Sequence, residues 1–218
     1  GTFGTDGHEN GMVFGSSRGD VAVPEGEPAV DPNDRMAWVN STHVIIGTQS
    51  DDPSKTNPSI AGSVYGSGEN GHTFKDTQLD IHSGRIGLTE EKSTDPVGQK
   101  GAKYPYRGNV YGGGCGTDMY WIDANGNDVR DPGEEHYNAI AGIVRGNATV
   151  TIDGGHVVHN IYGAGAMGSV GNATDATSGK TTVTIKGKAQ IGVEDISGNI
   201  YGAARGDQNV DEEDYATV

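Results

Sequence analysis

The sequence predicts an all-β chain wound as a right-handed parallel β-helix, a solenoid with loop insertions at its corners. Three observations carry this. One short pattern, a branched residue, an aromatic and a glycine, returns five times: Val13-Phe14-Gly15, Val64-Tyr65-Gly66, Val110-Tyr111-Gly112, Ile161-Tyr162-Gly163 and Ile200-Tyr201-Gly202. Strict alternation marks Thr77-Gln78-Leu79-Asp80-Ile81, Thr149-Val150-Thr151-Ile152 and Thr182-Val183-Thr184-Ile185, the period of a strand with one face buried. Finally, 37 glycines accompany a hydrophobic content of only 33% in 218 residues. That is little for a ball-shaped core and suits a thin stack, in which each coil buries a narrow column.

Taken in order, residues 1–36 hold Gly1-Thr2-Phe3-Gly4, the first repeat strand, and an acidic, proline-rich excursion through Pro24 and Pro28. Ala37 to Gly47 reads as strand, Asp51 to Pro58 as loop, and Val64-Tyr65 as the second repeat strand. Beyond it the plan is plainest. Each alternating strand is followed by a turn and one further apolar position, at Ile86, Val157 or Ile191, and then by the aromatic strand. A unit is therefore three short strands per turn, and the crossover rule for parallel strands makes the coil right-handed. A solenoid tolerates extra residues that leave and return at a corner, so about 87–106 and 116–137 read as insertions in a single domain spanning 1–218. The run Asp211-Glu212-Glu213-Asp214 reads as a solvated acidic tail.

The formal charge of −15 argues against nucleic-acid binding, which needs basic patches the chain lacks. Cys115, the sole cysteine, excludes an internal disulfide and sits among glycines as a small corner residue. No apolar run is long enough to span a bilayer as a helix. The chain reads as a piece or processed form of something longer.

The pairing of Val150-Thr151-Ile152-Asp153-Gly154-Gly155 with Asn160-Ile161-Tyr162-Gly163-Ala164-Gly165 resembles the glycine-rich parallel β-helix repeats of adhesin-like surface proteins of gut Bacteroidetes and Firmicutes. The resemblance covers most of the chain outside the insertions. It implies an exported, non-enzymatic surface or fibre module at the bacterial cell surface, stacked end to end on neighbouring repeats or subunits, with a glycan or host surface as the expected contact. The first copy departs from the pattern, with Phe14 for tyrosine and Ser16-Ser17 for the glycines.

The sharpest chemical signal is Asp123 to Glu134. Oxygen side chains fall at Asp123, Asn125, Asn127, Asp131 and Glu134, positions 1, 3, 5, 9 and 12 of a twelve-residue loop, and Val129 offers its carbonyl at position 7. A hard cation that takes six to eight oxygens fits this spacing, so Ca²⁺ is the expected ion, with a bare acidic turn as the competing account. The loop resembles those of dockerins and of the B-type domains of serine-aspartate repeat surface proteins. Asp128 departs from it, standing where those loops have glycine.

Other candidates are weaker. Arg18-Gly19-Asp20 and Arg205-Gly206-Asp207 read as equivalent corners rather than as integrin ligands. Asp80 and Asp153, with Arg85 or Arg145, are the residues a polysaccharide lyase or hydrolase reading, or a glycan-binding one, would use, but glycosidase chemistry wants two carboxyl groups across one cleft and no compact signature ties these together. No catalytic residue is assigned. His156 and His159 are expected on opposite faces. Tyr104, Tyr106, Trp121 and Tyr137 read as pins for the insertions, or as stacking surfaces for sugars. Asn40, Asn147 and Asn172 each begin an N-glycan acceptor triplet.

Overall fold

The structure, a computed structural model, describes residues 1–4, 11–19, 37–49, 57–87, 108–116, 119–121, 124–127, 131, 134–137, 140–193 and 198–206. Its strands in chain order are β1 (Thr2–Phe3), β2 (Val13–Phe14), β3 (Trp38–Val39), β4 (Thr42–Ile46), β5 (Ser59–Ile60), β6 (Val64–Tyr65), β7 (His72–Thr73), β8 (Thr77–Ile81), β9 (Arg85–Ile86), β10 (Val110–Tyr111), β11 (Met119–Trp121), β12 (Glu135–Tyr137), β13 (Ala148–Ile152), β14 (His156–Val157), β15 (Ile161–Tyr162), β16 (Thr181–Ile185), β17 (Gln190–Ile191) and β18 (Ile200–Tyr201). No helix occurs among the described residues.

Among the described residues, every strand pairing apart from the antiparallel pair β11 and β12 is parallel. The long strands form one sheet in the order β16-β13-β8-β4, and two-residue strands form a second, β1-β5-β9-β14-β17. The aromatic strands form a third, β18-β15-β10-β6-β2. A narrow fourth strip begins with β3 and β7 and continues through single bridges from Thr73 to Val144 and from Val144 to Val170. The chain visits long sheet, second sheet, aromatic sheet and fourth strip in that order, then returns to the long sheet one level further on. Where the alternation predicts three strands per circuit, the structure has four. The fourth strip has at most two residues per level, so it carries no period to read. For the same reason the single strand expected over Ala37 to Gly47 is two, β3 and β4, with a bend at Asn40 and Ser41 where the Asn40 carbonyl accepts from the Lys75 amide.

Register explains the core. Val44, Leu79, Val150 and Val183 lie one over another in the long sheet, as do Ile46, Ile81, Ile152 and Ile185. Ile60, Ile86 and Val157 from the second sheet and Val64, Val110 and Ile161 from the aromatic sheet close on the same interior. Each such side chain, fully buried, contributes roughly 1.5–3 kcal/mol. Successive strand residues point to opposite sides, so the aromatic ring beside each core Val or Ile faces away from this interior. It is nevertheless covered, because the corner residues Cys115 and Ala166 fold over it. The rings of Phe14, Tyr65, Tyr111, Tyr162 and Tyr201 stack in one column with centroids 4.7–5.0 Å apart.

Two further columns run beside the rings. At Gly15, Gly66, Gly112 and Gly163 an added Cβ would sit well inside contact distance of the next level's glycine carbonyl, so close backbone approach demands glycine there. Before the strand, the Ser63 hydroxyl accepts the Asn109 amide at 3.0 Å, Asn109 Oδ1 accepts the Asn160 amide at 3.0 Å, and Asn160 Oδ1 accepts the Asn199 amide at 2.9 Å. This ladder satisfies backbone donors at a buried corner that no sheet bond reaches.

The longer excursions leave and re-enter at closely apposed points. Gly87 and Gly108, which bracket residues 88–107, lie against each other in the left-handed region, with φ of 120° and 73°. The levels on either side keep their register, since Val110 pairs with both Val64 and Ile161.

Candidate functional site

The predicted calcium loop connects β11 and β12, a hairpin in which Met119 is paired with Tyr137 and Trp121 with Glu135. Asp123, Val129 and the departing residue Asp128 lie outside the described residues. The other four predicted ligands are brought together. Asp131 Oδ2 accepts from both Asn125 Nδ2 and Asn127 Nδ2 at 2.7 Å, and Asn125 Oδ1 accepts the Asn127 amide at 3.1 Å. The buried Glu134 carboxylate accepts the Ala124 amide at 3.1 Å through Oε1 and the Asp131 amide at 3.0 Å through Oε2. Gly126 takes the left-handed turn between the two asparagines, with φ of 71°.

Side chains from positions 3, 5 and 9 thus converge on one point, while position 12 is anchored beside it. Asparagine amides now fill the space in front of the Asp131 carboxylate. A half-turn of each amide about its terminal bond would present oxygen instead, so the donor set fits a hard cation. Among the described residues, no group of three or more His, Cys, Asp or Glu side chains is placed to hold a metal, and this loop contributes two described carboxylates, Asp131 and Glu134.

The outward face of the long sheet shows what the other candidates do. Asp80 is in register with Ile45 on one side and Thr151 on the other. Its Oδ2 takes hydrogen bonds from Gln78 Nε2 and His43 Nε2, each at 2.7 Å. Asp153 is bonded through Oδ1 to His82 Nδ1 at 2.8 Å and through Oδ2 to Gln49 Nε2 at 3.1 Å. The hydrogen bond from His82 is the main reason the Asp153 carboxyl is held below its usual range. Each carboxylate is therefore tied to an imidazole from a neighbouring level, in a different column from the other. The two arginines weighed with them are engaged elsewhere. Arg85 donates to His156 Nδ1 at 3.1 Å, whose Nε2 donates to the Gly192 carbonyl at 2.8 Å. Arg145 lies with its guanidinium carbon 4.6 Å from the Trp38 ring centre. His159 is buried, its backbone amide bonded to the Gly108 carbonyl.

The Arg-Gly corners are structural in the described part, Asp20 and Asp207 lying outside it. Gly19 is buried against Gly71, the Arg18 carbonyl accepts the Asn70 amide at 2.8 Å, and the Gly206 amide donates to the Ala166 carbonyl at 2.8 Å. Of the acceptor triplets, Asn172 is exposed with Oδ1 taking the Thr174 hydroxyl at 2.9 Å, whereas Asn147 Oδ1 is used by the Lys180 amide at 2.9 Å. Tyr104 and Tyr106 lie outside the described residues, and Trp121 and Tyr137 belong to the hairpin strands.

Sequence reasoning missed one unusual group. His72 is fully buried, neither ring nitrogen has a hydrogen-bond partner, and Trp38 stacks on the ring at 4.2 Å. Burial first, and the Arg145 charge second, push its pKa down from 6.5 to about 4. An isolated His after Gly71 offers no signal, because its burial depends on Trp38 arriving from the preceding level. No protein-family model, no curated protein and no solved structure matches this chain.

Proposed function

We propose that the chain is a segment of a right-handed parallel β-helix that works as a non-enzymatic stalk or fibre module at a bacterial cell surface, of the adhesin-like repeat type. The observation that carries this reading is the columnar stack. Aromatic, glycine and asparagine columns run through successive levels in register, and its polar outward residues pair with one another across levels. Length gained level by level is what such a plan supplies, and neighbouring repeats or subunits are what would cover its ends. The alternative, a carbohydrate-active or glycan-binding module, gains nothing from Asp80 and Asp153, which stand in separate columns. The test is turnover on pectin, alginate and host-type glycans. No cleavage is expected, and cleavage abolished by Asp80→Asn or Asp153→Asn would replace the stalk with an enzyme.

Within this reading Ca²⁺ occupies the 123–134 loop, held by Asp123, Asn125, Asn127, Asp131 and Glu134 with the Val129 carbonyl, and ties the β11–β12 hairpin into one rigid arm. Calorimetry after chelation is expected to show a transition that rises on adding Ca²⁺ and is insensitive to it in Glu134→Gln. An unchanged melting profile in the wild-type chain would leave the loop an ordinary turn.

A further inference from the structure

Three stretches carry the acceptor triplet for an N-linked glycan, Asn40-Ser41-Thr42, Asn147-Ala148-Thr149 and Asn172-Ala173-Thr174, and the fold treats them differently. Transfer needs an asparagine whose carboxamide nitrogen is open and, two residues on, a hydroxyl not committed elsewhere. The triplet must also come away from the protein to enter a transferase. In the first, Thr42 is buried, its hydroxyl donates to the Gly66 carbonyl and its amide to the Asp76 carbonyl. In the second, the Asn147 carbonyl accepts the Thr77 amide and its Oδ1 the Lys180 amide, each at 2.9 Å. Ala148 is fully buried, and Thr149 stands between Gln78 and Thr182 in the long sheet. Freeing either triplet means opening that sheet.

The third triplet stands outside the stack. Gly171 and Gly179 lie against each other with φ of 126° and 82°, so the chain leaves and re-enters at one point. Between them, residues 172–177 are exposed. The hydrogen bonds that shape this loop are local. The Asp175 amide donates to the Asn172 carbonyl at 2.8 Å, the Ser178 amide to the Asp175 carbonyl at 3.1 Å, and the Asn172 amide to Ser178 Oγ at 2.8 Å. Asn172 Oδ1 accepts both the Thr174 amide, at 3.2 Å, and the Thr174 hydroxyl, at 2.9 Å. A backbone amide can only donate, so this network fixes which side-chain atom is the oxygen. It leaves Nδ2, on an exposed side chain, without a partner among the described residues, and it holds the threonine hydroxyl against the carboxamide.

We infer that Asn172 is this chain's acceptor for an N-linked glycan, and that Asn40 and Asn147, alike in pattern, are not. The donor is a lipid-linked oligosaccharide, brought by an oligosaccharyltransferase that acts on the folded chain. Asn172 Nδ2 attacks the anomeric carbon of the first sugar. The N–C bond forms as the C–O bond to the lipid pyrophosphate breaks, the pyrophosphate leaves with the electron pair, and one Nδ2 proton passes to a base of the transferase. Drawing the triplet into such an enzyme costs a few bonds within the loop and none of the sheet register. The loop follows Val170 of the fourth strip and precedes β16 of the long sheet, so the glycan stands at a corner on the outside of the column.

The test is transfer in vitro. The folded chain is incubated with a purified single-subunit oligosaccharyltransferase and a lipid-linked oligosaccharide, then read by intact mass and by mapping of the modified peptide. One glycan per chain is expected, on Asn172. Asn172→Gln and Thr174→Ala should each abolish the added mass and Thr174→Ser retain it, with melting temperatures unchanged because the loop lies outside the stack. Three short synthetic peptides, one for each triplet, serve as the unfolded reference, and all three are expected to accept. A folded chain that stays unmodified would overturn the inference, as would a peptide of residues 168–180 that accepts nothing. Modification of the folded chain at Asn40 or Asn147 as readily as at Asn172 would overturn it too, since the fold would then make no selection. None of these results touches the stalk reading, which falls on polysaccharide turnover instead.

Discussion

Ile161-Tyr162-Gly163 and Ile200-Tyr201-Gly202 are nearly the same words in the same sheet, yet they live in different environments. The first lies between β10 and β18 and is buried; the second lies at the edge and is half open to water. Sequence therefore specifies the shape of a level, while stability comes from what stands above and below it. That is the expectation for a stack of short strands, where no single circuit holds enough apolar surface to fold by itself. It also locates where change is costly. In the middle levels a Cβ on the column glycine would meet the backbone of the next level, whereas on Gly202 it would meet nothing within 4 Å.

The comparison breaks most sharply at the glycine column. A Cβ placed on Gly112 would collide with the Gly163 carbonyl and lie 3.1 Å from a Val150 methyl, and neither belongs to a flexible chain end. Gly112→Val is expected to cost more than about 4 kcal/mol, enough to prevent folding of a marginal stack. Measured by urea denaturation below the concentration of any assembly, Gly202→Val should change stability by less than about 0.5 kcal/mol. Equal losses at both positions would mean that the edge is already covered by the chain itself.

Much of this plan is legible from residues alone, for a physical reason. Leu79 and Ile81 alternate with Gln78 and Asp80 because a strand has period two, and the structure buries the first pair while leaving Gln78 in water. Ile86, Val157 and Ile191 follow their turns as single apolar positions and do pair in one sheet. What escaped was set by neighbours distant in sequence. The fourth strip has two residues per level at most, too few to show a period, and His72 is buried by a tryptophan 34 positions earlier. The Asp80 and Asp153 carboxylates were visible as outward, but only the register shows that His43 and His82 claim them. The convergence of Asn125, Asn127, Asp131 and Glu134 was legible because the four sit within one short stretch, so folding has little freedom to scatter them.

A smaller effect separates interior from surface by pH. His72 is held neutral in the folded stack, with its pKa pushed down to about 4, while the unfolded chain takes up the proton near 6.5. The unfolded state thus binds more protons between those values, so this contribution is intact above about pH 6.5 and is lost as the pH falls toward 4. Its full size, reached only below pH 4, is roughly 3 kcal/mol. Asp153 works in a lower window. Its hydrogen bond with His82 holds its pKa below 3.8, so stability from that pair persists down to the ordinary carboxylate range and is lost only under stronger acid. Because the pair is at the surface, its loss should cost no more than about 1 kcal/mol. Melting temperature against pH should therefore fall in two steps, the larger between 6.5 and 4. His72→Phe, which keeps a flat ring under Trp38 and removes both nitrogens, is expected to abolish the upper step and leave the lower one. A profile flat down to pH 4 in the wild-type chain would show that His72 takes up its proton alike in the folded and the unfolded chain.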